Sequence, residues 1–495
     1  MNSYKKFIKD NLIVVIGHVL IYAKGIILLP ILIKNVGTGF YGSYIVLMTG
    51  IGFVCGISSF GAGFKFRRYV PSAQTIIERR NLFYCPLFFW LISTLVICLA
   101  LIFSGNFIKT AVFKGEVEFS MYLVALILIF YVLYSLSTDY FRYTQRMNYF
   151  AAATTSQPYL MILLMVTAVY VLNKKTLDAL LLAYLVTLIL ISVPLLVMIF
   201  REIRFGFFDF RVETIVEDIR LGFPLVLSYV LDFILSGSDK YVITVFMTTT
   251  AVGCYSPACT LGSLVILLPK VFGVVLPPLL SNAADSGRDN EIKTLVNYSI
   301  KIFLLISIPF TAACFVLSKP LLEIFANKQA ANAAYLATPI VAAGILFYGL
   351  NLILSNVLFV HLKTRIMFSV NILSAGLNLL LNIVFIYIFR SILVAAITTL
   401  ASYMVSFVVL NVKMKQYLRV SYNLPFVLKC SISSVLMGFV LHWVRLTFGS
   451  GNGTLFLSML IGIVTYITFL FAFRTFSTKE LDFVRSYIPA GLRQC

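Results

Sequence analysis

The sequence predicts an all-α integral membrane protein with about fourteen membrane-spanning helices. Of its 495 residues, 60% are hydrophobic and only 12% charged, against roughly 25% charged in a soluble domain. The mean hydropathy is +0.98. No aqueous fold hides that much apolar surface, so the solvent must be mostly lipid. Apolar runs of the roughly 20 residues that cross a bilayer also follow one another along the whole chain.

These runs fall at 12–33, 40–64, 82–104, 117–138, 150–172, 177–200, 221–246, 251–279, 294–317, 333–357, 366–388, 391–412, 424–446 and 453–473. The first follows Lys5, Lys6 and Lys9 but is long enough to span and has no small-residue cleavage site after it, so it reads as a helix and not a signal peptide. The longest connection, about 201–220, is far shorter than the roughly 50 residues a soluble domain needs. Any chemistry must therefore happen among the helices.

The net charge of +20 does not point to nucleic acid, because the basic residues sit in short clusters between apolar runs. They fit the positive-inside rule instead. With the N-terminus inside, 25 of the 39 Lys and Arg fall on the cytoplasmic side and 9 on the other (Arg445, at the end of its segment, counted with these), with five lysines well inside the segments. Both termini are expected in the cytoplasm. The eight cysteines (55, 85, 98, 254, 259, 314, 430, 495) make no CxxC, and His18, His361 and His442 are scattered. Neither a metal site nor a disulfide is expected, and no cofactor is implied.

An internal repeat is visible. Phe40-Tyr41-Gly42-Ser43-Tyr44 resembles Ala251-Val252-Gly253-Cys254-Tyr255, Arg146 matches Arg365, and Ala183-Tyr184 matches Ser402-Tyr403, at offsets of 211, 219 and 219 residues. Six segments separate each pair, so the halves have the same orientation, as in transporters built from parallel repeats.

Three passages carry a family resemblance. They are Leu28-Leu29-Pro30-Ile31-Leu32 with Gly39-Phe40-Tyr41-Gly42-Ser43-Tyr44, then Ser238-Asp239-Lys240-Tyr241-Val242-Ile243 with Val252-Gly253-Cys254-Tyr255-Ser256. The last is Asn378-Leu379-Leu380-Leu381-Asn382-Ile383-Val384 before Val394-Ala395-Ala396-Ile397-Thr398-Thr399. Along nearly its whole length the chain resembles the multidrug/oligosaccharidyl-lipid/polysaccharide exporter superfamily, and within it the O-antigen and capsule repeat-unit flippases (Wzx-type). It departs at Val394, where the family usually has glycine. The resemblance implies two pseudo-symmetric six-helix lobes around a central cavity, at 1–207 and 208–415, with two appended helices and a tail at 416–495. It implies a non-enzymatic flippase in the bacterial inner membrane, carrying undecaprenyl-diphosphate-linked oligosaccharide by alternating access. A proton or sodium gradient would drive it, and a polysaccharide polymerase and chain-length regulator would be its partners.

A diphosphate needs cations where lipid supplies none, and a lysine at the bilayer centre costs roughly 2.5–3.5 kcal/mol. Lys24 lies about 18 Å into the first segment at 1.5 Å per residue, near the midplane. With Lys270 and Lys301 it forms the expected diphosphate-binding set, against a bland reading in which the lysines snorkel to headgroups. Asp232 lies at a similar depth in the equivalent segment of the other half, so a gating pair with Lys24 is expected, or else a static buried ion pair. Asp139 and Arg142 end the fourth segment, where a salt bridge between lobes is expected. Asp239-Lys240 and Lys429 read as structural and snorkelling residues, and Gly52-x-x-x-Gly56 as helix packing.

Beyond the first two residues of each segment lysines outnumber carboxylates by five to two (Asp232 and Asp239), which disfavours a cation-coupled drug exporter. A peptidoglycan-precursor flippase is a closer alternative, which composition does not exclude. A membrane glycosyltransferase or polysaccharide polymerase would need a large external loop, and none is present.

Overall fold

A backbone surrounded by hydrocarbon must satisfy its own N–H and C=O groups, which a helix does within one segment. The computed structural model describes residues 23–476 together with Gly17, Leu20 and Ile21, apart from positions 205, 207, 209, 419 and 450. The basic cluster at Lys5, Lys6 and Lys9, most of the run before residue 23, His18 and Cys495 lie outside the described residues. The first half comprises α1 (residues 23–36), α2 (Thr38–Ile57), α3 (Phe64–Tyr69), α4 (Ile76–Phe103), α5 (Gly105–Phe113), α6 (Met121–Tyr143), α7 (Met147–Val166) and α8 (Leu177–Ile203). The second comprises α9 (Val212–Phe246), α10 (Thr249–Gly262), α11 (Leu267–Asp285), α12 (Asp289–Phe325), α13 (Lys328–Ala334), α14 (Ala337–Val360), α15 (Thr364–Phe389) and α16 (Ile392–Met414). Then come α17 (Leu424–Phe448) and α18 (Asn452–Ala472), which pack on each other and on α12.

Among the described residues thirteen spans are long and apolar enough to cross a membrane, α10 and α11 making one of them. The chain is a multi-pass membrane protein, with α1 standing where the first expected segment falls. Caps explain several starts. Thr75 and Glu78 form a capping box at α4, Thr176 caps α8, and Thr248 caps α10.

Hydropathy misplaced some boundaries for physical reasons. The second segment was expected to reach 64, yet α2 stops at Ile57 because Gly61 and Gly63 take φ of 89° and 100°, values that suit glycine. The seventh was expected from 221, yet α9 starts at Val212, since Glu213, Glu217 and Asp218 make its first two turns polar and a hydropathy window rejects them. The short α3, α5 and α13 went unseen because each is under ten residues.

Near the expected external face the two lobes share one apolar core, from Tyr41 and Tyr44 of α2 through Leu180 and Leu181 of α8 to Val252 and Tyr255 of α10. Toward the opposite face the cores separate. Phe83, Tyr140 and Ile199 pack within the first lobe, and Leu231, Leu235 and Tyr403 within the second. The repeated glycine motifs are the joint itself. A Cβ on Gly42 would strike the Thr249 carbonyl oxygen, and one on Gly253 would strike that of Thr38. Thr38 and Gly42 correspond to Thr249 and Gly253 at the 211-residue offset, so the contact is reciprocal, as a two-fold related interface requires.

Candidate functional site at the seam between the lobes

Helix α2 is the spine of the seam. On its second-lobe side Tyr241 donates its hydroxyl to the Val46 carbonyl at 3.1 Å, and Tyr229 donates to the Gly52 carbonyl at 2.7 Å. Phe53 and Phe233 meet at 4.1 Å between ring centroids. A side chain on Gly56 would run into the Tyr229 ring. The Gly52-x-x-x-Gly56 spacing is therefore a packing device: Gly56 makes room for a tyrosine ring, and Gly52 offers its carbonyl. Helix α1 joins the seam at Gly25, whose missing Cβ would lie 3.2 Å from Thr260 of α10.

The expected site residues divide. Lys24 is partly buried beside that α1–α10 crossing. Asp232 is exposed on α9, one turn beyond Tyr229, and the charge acting on its carboxylate is Lys270 of α11. The expected Lys24–Asp232 pair is not formed in this conformation: the cation whose charge acts on Asp232 is Lys270, in the same lobe, and not Lys24. Lys301 is also corrected. Its ammonium sits 4.7 Å from the centre of the Phe426 ring on α17, so it faces the appended helices and not the seam. Lys24 and Lys270 remain.

Asp139 and Arg142 do not bridge the lobes in this conformation. Asp139 is 3.3 Å from Arg67 of α3, and the Arg142 guanidinium lies over Tyr143 and Phe150, all within the first lobe. The Ser58–Ala73 connection folds back onto α6 and brings Arg67 there first. Lys240 lies 3.5 Å from Asp239 and donates to the Ser236 carbonyl, so this pair is structural. Lys429 is half-buried and donates to the Arg474 carbonyl.

A second interlobe contact lies at the expected cytoplasmic face, and sequence reasoning missed it. Asp218 of α9 accepts from the backbone N–H of Gly63 at 2.8 Å and of Lys65 at 2.7 Å, and Lys65 also pairs with Glu217 at 2.6 Å. Gly61 and Gly222 touch backbone to backbone. Beside them opens a cavity of about 290 Å³ whose lining includes Lys65, Asn81, Arg211 and Asp218. The signal was present as acidic residues just before an apolar run, opposite a glycine-rich basic connection. Nothing in either segment alone says that they meet.

The Asn378–Thr399 motif is a buried network. Asn382 donates to the Asn378 side-chain oxygen at 3.1 Å, Thr398 donates to Asn382, and Asn378 donates to Thr399 at 3.1 Å. Ala395 and Ala396 are buried and let α16 approach, and Val394 packs at the edge of the shared core where the family usually has glycine. All seven described cysteines are free thiols, six of them buried. Among the described residues no group of three or more His, Cys, Asp or Glu is placed to hold a metal ion.

Two helical lobes that meet through repeated glycines, with charges along the seam, define a membrane protein of the transporter type. The family model described as polysaccharide biosynthesis protein matches residues 7–284, more than half of the chain, and the chain belongs to that family. A second model, MatE, matches 224–384. The chain is 23% identical over 244 residues to the probable low-salt glycan biosynthesis flippase Agl15 of Haloferax volcanii. That match covers 49% of this chain, which spans about half (51%) of the relative's length. Among solved structures, the lipid II flippase MurJ in an inward closed conformation has a TM-score of 0.75 at 17% identity, covering 94% of this chain and 99% of that one. An inward-facing multidrug resistance MATE family transporter of the MOP superfamily has a TM-score of 0.64 at 14% identity, covering 81% and 94%. Both share the fold.

Proposed function

We propose that the protein is a flippase for a lipid-linked oligosaccharide, moving it from the cytoplasmic to the outer leaflet by alternating opening of its two lobes. The observation that supports this reading is a lysine within a membrane-spanning helix of each lobe, Lys24 partly buried in α1 next to the α1–α10 contact at Gly25 and Lys270 on α11 within electrostatic reach of Asp232. A diphosphate-linked cargo brings negative charge into lipid, and a cation on each lobe gives it a partner on both sides of the path. Membership of a polysaccharide biosynthesis family and the match to a glycan flippase support the same cargo class.

The finer reading is undecaprenyl diphosphate carrying an O-antigen or capsule repeat unit, moved across a bacterial inner membrane with both termini cytoplasmic. A polymerase and chain-length regulator would act on the product. The Asp232–Lys270 pair would hold the empty seam neutral, and an incoming diphosphate would compete for Lys270. That gives the ligand differential affinity for two states. Asp232 released from Lys270 could then take up a proton or sodium ion, which would couple transport to a gradient.

Deleting the gene and following lipid-linked intermediates tests this. Undecaprenyl-diphosphate-linked oligosaccharide should accumulate on the cytoplasmic leaflet while surface glycan disappears. Unchanged lipid intermediates with altered resistance to cationic drugs would replace the reading with a drug exporter. Accumulation of a peptidoglycan precursor would replace it with a precursor flippase.

A further inference from the structure

The internal repeat places a tyrosine pair at the same point in each lobe, and the two pairs are used differently. In the second lobe Tyr348 of α14 and Tyr403 of α16 stack at 4.9 Å with their rings 28° apart. The Tyr403 hydroxyl donates to the Leu235 carbonyl at 3.2 Å. That pair is closed on itself. Its counterparts in the first lobe are Tyr131 of α6 and Tyr184 of α8, at offsets of 217 and 219 residues.

Tyr131, Tyr134 and Tyr184 pack against the same apolar core that holds Cys55 of α2, and Tyr229 of the second lobe lies within electrostatic reach of Tyr131 and Cys55. Tyr131 and Tyr134 are 6.3 Å apart between centroids, at 46°, so they do not stack face to face. All three first-lobe tyrosines are only partly buried. None of their hydroxyls meets a hydrogen-bond partner among the described residues. A tyrosine well inside a fold normally places its hydroxyl on a partner. Three together without one, where the symmetric pair has closed, are arranged for something that comes and goes. Tyr229 is one turn from Asp232, so this aromatic group adjoins the Asp232–Lys270 charges.

The geometry points to Tyr131, Tyr134 and Tyr184 as a saccharide subsite that receives the first sugars of the cargo, while Lys270 receives the phosphate end. A sugar ring presents an apolar C–H face and a rim of hydroxyls, and a tyrosine offers a π face with a hydroxyl that both donates and accepts. An isoprenoid chain would have no use for three open hydroxyls. This inference rests on the flippase reading and adds which lobe reads the sugar.

The test uses the full chain in nanodiscs with two probes, undecaprenyl diphosphate and the same lipid bearing a disaccharide. The triple substitution Tyr131→Phe, Tyr134→Phe, Tyr184→Phe keeps every ring and removes only the hydroxyls. Affinity for the disaccharide probe should fall roughly tenfold, the worth of one to two net hydrogen bonds, with the bare diphosphate bound as by the wild type. Tyr403→Phe should leave the ratio of the two affinities unchanged. Equal losses for both probes, no loss for either, or the same selective loss in Tyr403→Phe would each overturn the subsite. A wild-type protein that binds neither probe would remove the flippase reading and this inference with it.

Discussion

Asp232 is where residue-level reasoning went furthest and where it needed correcting. Its depth in the seventh segment was readable by counting 1.5 Å per residue, and so was that of Lys24. Depth does not give azimuth. The carboxylate answers to Lys270, so a double-mutant cycle on transport with Asp232→Asn and Lys270→Gln should be non-additive by about 1 kcal/mol or more. The cycle of Asp232→Asn with Lys24→Gln should be additive within about 0.5 kcal/mol. Reversed results would restore a gate between Lys24 and Asp232. Lys24→Ala should abolish surface polysaccharide while Lys24→Arg retains much of it, since the site needs charge more than shape. Normal polysaccharide in an alanine variant expressed at wild-type level would show that Lys24 is dispensable.

At the scale of elements, the α2–α10 crossing and the α15–α16 network carry the largest local demands. Gly42 and Gly253 bring two helix backbones together, so Gly42→Ala must push α10 away. Overpacking of this kind costs about 1–3 kcal/mol. Gly42→Ala should lower the thermal unfolding temperature in detergent and open the expected external face to a thiol reagent at an introduced Thr38→Cys. Gly273, which has open space where a Cβ would stand, should tolerate alanine. In α15, Asn382→Ala leaves the Asn378 side-chain oxygen without its donor in a buried place, a loss of about 1–3 kcal/mol, while the Thr398 hydroxyl keeps the Val394 and Ala395 carbonyls. Unfolding measured with and without the substitution checks this, and an unchanged midpoint would mean that other groups or water take the freed positions.

For the whole molecule, orientation and lobe motion are set by charge and by the contacts between the lobes. Reporter fusions after Arg146 and Arg211 should read cytoplasmic and those near Lys174 and Lys319 external, as the 25-to-9 distribution of basic residues requires. Swapped readings at both pairs would invert the protein. The lobes touch at both faces, through Gly42 and Gly253 at one and through Gly61, Gly222 and Asp218 at the other. Alternating access requires that these contacts break in turn. A disulfide joining Ala62→Cys to Leu221→Cys should therefore stop transport, and reduction should restore it. Full activity in the cross-linked protein would show that this contact is a permanent hinge.

The sequence by itself determined the class of solvent, the helical architecture, the parallel repeat and the family. Each follows from local quantities summed along the chain: hydropathy per window, charge per connection, and motif spacing. It also marked Gly42, Gly253 and the Asn378–Thr399 passage as special, because packing of that closeness restricts residue type at single positions. Only the tertiary structure decided which charges meet. Lys270 reached Asp232, Lys301 turned to Phe426, and Asp139 turned to Arg67, outcomes set by how α11, α12 and α3 are rotated and placed. The Tyr131, Tyr134 and Tyr184 group was invisible for the same reason. Tyrosines are frequent in this chain, and only contacts between α2, α6, α8 and α9 distinguish those that face one another with their hydroxyls open from those that close on a neighbour.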